Sequence, residues 1–193
     1  MSHSNFISQI NRFPLSRNWP TAEPAQSDEA KWQRLLDGVA ENSPYLSRLL
    51  EKHPDTVAKL LEHGPTKALQ DIYLPKSIAA TISTTEFETM LREAKTKFHL
   101  CLALIDLSGV WDTQQITQAL SDFADQMVAN CTRFVWKNAP EPVRQQAGSS
   151  GFFVVAFGKL GGHELNYSSD VDLAFFYETQ KTGLPAKDLI RIS

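Results

Sequence analysis

The sequence predicts an α+β chain: a helical layer over residues 28–138, then the start of an α/β unit over residues 151–193 that is incomplete. Three observations lead there. Apolar residues recur at helical spacing through most of the first part. The stretch APEPVRQQAGSS, within a linker over residues 139–150, breaks that pattern with Pro, Gly and Ser. Beyond it, GFFVVAFG and VDLAFFY are short β-branched and aromatic runs that suit strands, the first a buried one.

Residues 1–27 hold Pro14, Pro20 and Pro24 among scattered polar groups and read as a poorly ordered arm. Arg12 and Arg17 precede the first acid, Glu23, a faint transit-like bias. The arm has no apolar run long enough for a secretory signal, and the protein reads as cytoplasmic. Ser27 or Asp28 can cap a first helix whose stripe is Trp32, Leu35, Leu36 and Val39. Two or three short helices follow, punctuated by Pro54 and Gly64-Pro65, with Leu46, Leu49, Leu50, Val57, Leu60 and Leu61 as their apolar faces.

Two longer helices come next. Ser83 with Glu86 is a capping-box pattern. It opens a stripe of Phe87, Met90, Leu91, Ala94, Phe98, Cys101, Leu102 and Ile105. Asp112 with Gln115 starts the second, whose stripe runs Ile116, Ala119, Leu120, Phe123, Met127, Cys131 and Phe134 and stops before Pro140. Both cysteines fall on apolar helical positions and read as buried free thiols, with neither a disulfide framework nor zinc spacing.

Composition excludes some classes. The 193 residues are 42% hydrophobic and 21% charged, ordinary for a globular protein, with a net charge of −3. There is no global basic field to draw nucleic acid. No segment approaches the ~20 apolar residues of a membrane span.

The chemistry gathers in GKLGGHELNYSSDVDL, residues 158–173. Residues two apart on a strand share a face, so Asp170 and Asp172 are expected side by side, about 6.5–7 Å apart. Val171, Leu173 and Phe175 would then point into a core. Paired carboxylates repel unless a cation sits between them. Hard oxygen ligands suit Mg²⁺, which keeps waters and shares phosphate oxygens with a substrate. Gly158 ends one strand, and Gly161 and Gly162 free the backbone to turn. N–H groups exposed in such a turn can cradle phosphate. Lys159 can add a point charge toward it, and Ser169 is counted with Gly158 and Lys159 as phosphate-binding.

Each residue also has a plainer reading. Lys159 fits a solvated surface, and His163 fits an exposed turn better than a ligand. Glu164 and Asn166 can bond local backbone, and Ser168 and Ser169 can cap the turn. The combination is more specific than its parts. A glycine turn followed by D-x-D between apolar strands resembles the nucleotidyltransferases related to DNA polymerase β.

The longer string FGKLGGHELNYSSDVDLAFFY resembles the signature of the glutamine-synthetase adenylyltransferase and adenylyl-removing family. The likeness runs from about Thr84 to Tyr177, taking in LREAKTKFHLCLALIDLSGV and ALSDFADQMV, and is weaker upstream. It implies two nucleotidyltransferase units joined by a helical region. One adenylylates a tyrosine of glutamine synthetase with ATP; the other removes the AMP by phosphorolysis, releasing ADP. A helical lead of this length from Met1 resembles the adenylyl-removing unit. The resemblance also implies Mg²⁺ held by Asp170 and Asp172 as the catalytic pair, Gly158 and Lys159 in the phosphate-contacting turn, and glutamine synthetase as partner. A PII-type signalling protein enters through the longer parent; nucleic acid and membrane do not.

The sequence departs from that family in one respect. Such a unit needs a third carboxylate in a later stretch resembling V-D-x-R-L-R-P, and the 193 residues lack it; neither Glu178 nor Asp188 matches. The expectation is therefore part of an enzyme, with little or no activity on its own. The alternative is a non-catalytic remnant that binds nucleotide or a partner. A uridylyltransferase is a third reading, against which the GKLGG-x-ELN string argues.

Overall fold

The computed structural model describes residues 28–75, 82–139, 141–145 and 151–178. The arm over residues 1–27, the capping role of Ser27, half of the linker and everything past Glu178 lie outside them. Among the described residues the protein is mostly helical, with one antiparallel sheet of two strands. This is an α+β composition.

Helix α1 spans Asp28–Asn42, α2 Pro44–Lys52 and α3 Pro54–Gln70. Ser43 caps α2 by accepting the Leu46 N–H at 3.2 Å, and proline stands in the first turn of both α2 and α3, where no N–H is needed. Gly64, at φ 75° and ψ 174°, breaks α3 just before Pro65. Helix α4 spans Thr84–Leu107 and α5 Thr113–Asn138. Both start on reciprocal caps. Ser83 Oγ accepts the Glu86 N–H while Glu86 accepts the Ser83 N–H at 2.7 Å. Asp112 and Gln115 repeat the exchange at 2.8 and 3.0 Å. The short α6 spans Glu141–Arg144.

The chain divides into two compact units. One runs up to Tyr73 and adds Thr89–Ile116; the other takes Leu74–Glu88 and everything from Thr117. The first buries Leu35, Val39, Leu60, Phe98, Leu102 and Ile105. Each such large side chain contributes about 1.5–3 kcal/mol on leaving water. Cys101 is buried here, and desolvation pushes its thiol up to about 12. Cys131, in the second unit, is only half-buried, against the expectation of two buried thiols; partial burial still raises its thiol.

His53 is buried in the first unit, and its Nε2 has no hydrogen-bond partner among the described residues. Burial, then Lys52 and Lys97, hold its imidazole below the ordinary value of 6.5, Glu93 opposing; burial and Lys95 lower His99 likewise. The unfolded chain therefore binds protons more readily than the folded one near that pH. Stability from these groups is full above 6.5 and falls as pH drops through it. We expect a lower Tm at about pH 5 than at about pH 7.5. Replacing both histidines by Gln should shrink that difference in thermal melts followed by circular dichroism.

In the second unit the rings of Phe87 and Phe134 stack at 4.0 Å, and Leu120, Phe123 and Trp136 are buried. Strand β1 spans Phe153–Phe157 and β2 Asp172–Phe176. They pair antiparallel, Phe153 opposite Phe176 and Phe157 opposite Asp172. Alternation puts Val154, Ala156, Leu173 and Phe175 on one face. That face meets α5, where Trp136 stands edge-on to Phe152 at 5.6 Å and Phe152 stacks on Phe175 at 6.2 Å.

Two expectations about the strands need correction. β1 is not a buried strand, because Phe153 and Phe157 are 55% and 51% exposed. Val171 and Phe175 do not point into a closed core either: both are exposed, and only Leu173 is half-buried. With two strands and a helix on one face, the other face is left to solvent among the described residues. A continuous apolar run suits a strand covered on both sides, and the run itself carries no record of whether the covering layer is there.

Candidate functional site

The site is built where β1 ends. Gly158 takes φ +57°, a backbone that a side chain disfavours, and starts the one-turn helix α7, Gly158–Gly161. The turn closes with Gly162 N–H to Gly158 O at 3.1 Å, His163 N–H to Leu160 O at 3.0 Å and Glu164 N–H to Lys159 O at 2.9 Å. The opening N–H groups of a helix have no acceptor inside it, which is what an anion can use.

Two glycines are fixed by close approach. A Cβ on Gly161 would lie 2.5 Å from the Ala156 carbonyl oxygen, so the turn folds back hard on the strand that precedes it. A Cβ on Gly158 would lie 3.1 Å from Asp172 Oδ2. The Asp172 carboxylate therefore rests directly over the first residue of the glycine turn. Antiparallel pairing of Phe157 with Asp172 brings it there. We expect Gly161→Ala to destabilise the second unit by about 1–3 kcal/mol, because rigid backbone must move. Urea denaturation followed by hydrogen exchange at β1 amides measures it.

Asp170 differs from expectation. The strand begins at Asp172, so Asp170 lies ahead of it and strand geometry does not set the two carboxylates on one face. Both side chains are exposed, as is Lys159; Ser169 is half-buried. Asn166 organises the approach to the pair. Its Oδ1 accepts the Ser168 N–H at 3.2 Å and the Ser169 O–H at 2.7 Å, and its carbonyl accepts the Ser169 N–H at 3.2 Å. The local roles open to Asn166, Ser168 and Ser169 are thus filled. His163 sits exposed in the turn at φ 54°, within 3.1 Å of Gln118.

The loop is held to α5. Leu160 and Leu165 are buried, and the Leu165 N–H donates to Ser121 Oγ at 3.2 Å. Ser121 and Gln118 were not singled out from sequence. Each lies some 45 positions before its partner, and neither residue type stands out on a helix. A cavity of about 490 Å³ lies between α5 and the sheet, lined by Asp125, Thr132, Arg133, Phe152, Ala156 and Leu173 among others. Ala156 and Leu173 belong to the face opposite Asp172, away from its carboxylate. Among the described residues no three His, Cys, Asp or Glu side chains converge as a metal cage. No described helix is long and apolar enough to cross a membrane.

Comparison with known proteins bears on this site. A family profile described as glutamate-ammonia ligase adenylyltransferase matches residues 32–191. The chain is 36% identical over 156 residues to the bifunctional glutamine synthetase adenylyltransferase/adenylyl-removing enzyme of Rhodopseudomonas palustris strain CGA009, covering 76% of this chain and 16% of that protein. The enzyme of the same description from Bradyrhizobium sp. strain BTAi1 is 34% identical over 164 residues, covering 80% and 16%. That from Caulobacter vibrioides is 36% identical over 163 residues, covering 79% and 16%. The chain therefore spans about 16% of the length of these curated relatives. No solved structure matches it.

Proposed function

Because the chain belongs to the glutamate-ammonia ligase adenylyltransferase family, we propose that it is part of an enzyme that adds and removes AMP on a tyrosine of glutamine synthetase, and that this unit serves the adenylyl-removing, phosphorolytic half. The observation that supports the chemistry is the Asp172 carboxylate lying over Gly158, at the start of the glycine turn. On this reading β1, α7 and β2 are the opening of a polymerase β-like nucleotidyltransferase sheet, and a third carboxylate comes from residues beyond these 193.

The exposed Asp172 carboxylate over the glycine turn, with Asp170 two residues ahead of it, suits Mg²⁺, which takes one or two carboxylates and fills its shell with water and phosphate oxygens. Asp170 and Asp172 would hold it, and it would supply positive charge against the anions that meet at phosphorus. The remaining work belongs to the chain. The backbone N–H groups that open α7 and the Lys159 ammonium draw in phosphate and the AMP phosphate, offsetting their mutual repulsion. The Asn166 turn keeps Ser169 beside the pair. An oxygen of inorganic phosphate attacks the α-phosphorus of the tyrosine-linked AMP. The bond from phosphorus to the tyrosine oxygen breaks, its electron pair stays on the phenolate, and ADP leaves. The tyrosine then takes a proton. A cytoplasmic setting and control by a PII-type protein through the longer parent fit this role.

The test replaces the matched segment of the Rhodopseudomonas palustris relative with residues of this chain and measures ADP release from adenylylated glutamine synthetase with Mg²⁺ and phosphate. The chimera should retain removal while the 193-residue chain alone shows little or none. A folded chimera that adenylylates but no longer removes AMP would reject the assignment to the removing half.

A further inference from the structure

We propose that Ser121, in the middle of α5, is a positioning residue that fixes the carboxylate-bearing loop, a role that rests on the reading above of Asp170 and Asp172 as the reacting centre. Ser121 is fully buried. Its hydroxyl donates to the Thr117 carbonyl at 2.9 Å, one helical turn back. Such back-bonding slightly weakens a helix, so the helix alone gives no reason for a serine there. The reason lies across the gap: the same oxygen accepts the N–H of Leu165, 44 positions later.

That bond sits at a decisive point of the loop. Leu160 and Leu165 are both buried and anchor it, but apolar contact has no direction. A hydrogen bond does, and the buried Leu165 N–H has to find an acceptor. From Leu165 the chain passes straight into Asn166, whose side chain and carbonyl hold Ser168 and Ser169, and then into Asp170. One end of this short run is tied to α5 by Ser121, and the other is tied to β1 where Asp172 pairs with Phe157. Asp170 lies outside the strand, so its placement depends on the α5 end. The next exposed turn of α5 adds a weaker tie, Gln118 Nε2 to His163 Nδ1 at 3.1 Å.

The experiment uses the 193-residue chain with Ser121→Ala, Ser121→Cys and Ser121→Thr. Amide hydrogen exchange is read at Leu165, Ser169 and Phe123, and Mn²⁺ affinity is read by electron paramagnetic resonance. Ser121→Ala should speed exchange at Leu165 and Ser169 while leaving Phe123 protected. It should also weaken Mn²⁺ binding by about tenfold, the usual cost of losing a residue that orients a metal ligand. Ser121→Thr keeps the hydroxyl and should restore both. Ser121→Cys keeps the volume with a poor acceptor and gives the same reading should the alanine chain not fold. Unchanged exchange at Leu165 and Ser169 in the folded Ala or Cys chain overturns the proposal. So does faster exchange with unchanged Mn²⁺ affinity, because Ser121 would then be structural only. Failure of the unaltered chain to bind Mn²⁺ rejects the reading of the carboxylates instead, and exchange at Ser169, the residue before Asp170, still decides whether Ser121 fixes the loop.

Discussion

Asp172→Asn in the chimera is expected to lower AMP release by on the order of 10²–10³, the usual loss when a charge that acts in the transition state is removed. The substitution keeps size and shape and removes only the negative charge. Asp172 is exposed, and its Oδ2 lies 3.1 Å from where a Cβ on Gly158 would stand. Folding should therefore change by no more than about 0.5 kcal/mol, as for a surface substitution. Release of labelled ADP and a urea melt of the 193-residue chain, measured side by side, check both halves. Loss of activity together with a large drop in stability would make Asp172 a structural residue.

Phe98→Ala should do the reverse. Phe98 is fully buried in the first unit and stacks against Tyr73 at 6.2 Å between ring centroids. Truncating a buried phenylalanine costs about 3–5 kcal/mol, from lost transfer energy and the cavity left behind. Set against a typical total of about 5–15 kcal/mol, that is enough to leave the unit marginal. Urea denaturation read by circular dichroism should show the midpoint fall sharply. Phe98→Leu, which refills much of the volume, should recover most of the loss.

Local chemistry made part of this architecture legible. The caps at Ser83 with Glu86 and at Asp112 with Gln115 need only three-residue spacing, and both are present. Gly64-Pro65 had to interrupt a helix, and it does. The glycine turn was readable because Gly158 and Gly161 each answer a local demand, a positive φ in one case and a carbonyl 2.5 Å from a missing Cβ in the other.

What escaped the sequence depends on partners far along the chain. Phe153 and Phe157 look like core residues, yet exposure is set by what covers the strand, and nothing in FFVVAF states it. Asp170 looked like a strand residue because alternation continues through Val171, but pairing starts only where Phe157 meets Asp172. Ser121 was invisible because a serine beside an apolar helical stripe resembles any tolerated polar residue. Only the Leu165 N–H, brought back by the fold, gives it a purpose.

The central claim is that Asp170 and Asp172 together hold a divalent cation beside the turn at Gly158. Its most direct test is a Mn²⁺ titration of the 193-residue chain with inorganic phosphate present, read by electron paramagnetic resonance and repeated with Asp170→Asn/Asp172→Asn. The account predicts saturable binding that phosphate tightens and the double substitution removes. Equal binding by both chains, with or without phosphate, would contradict it.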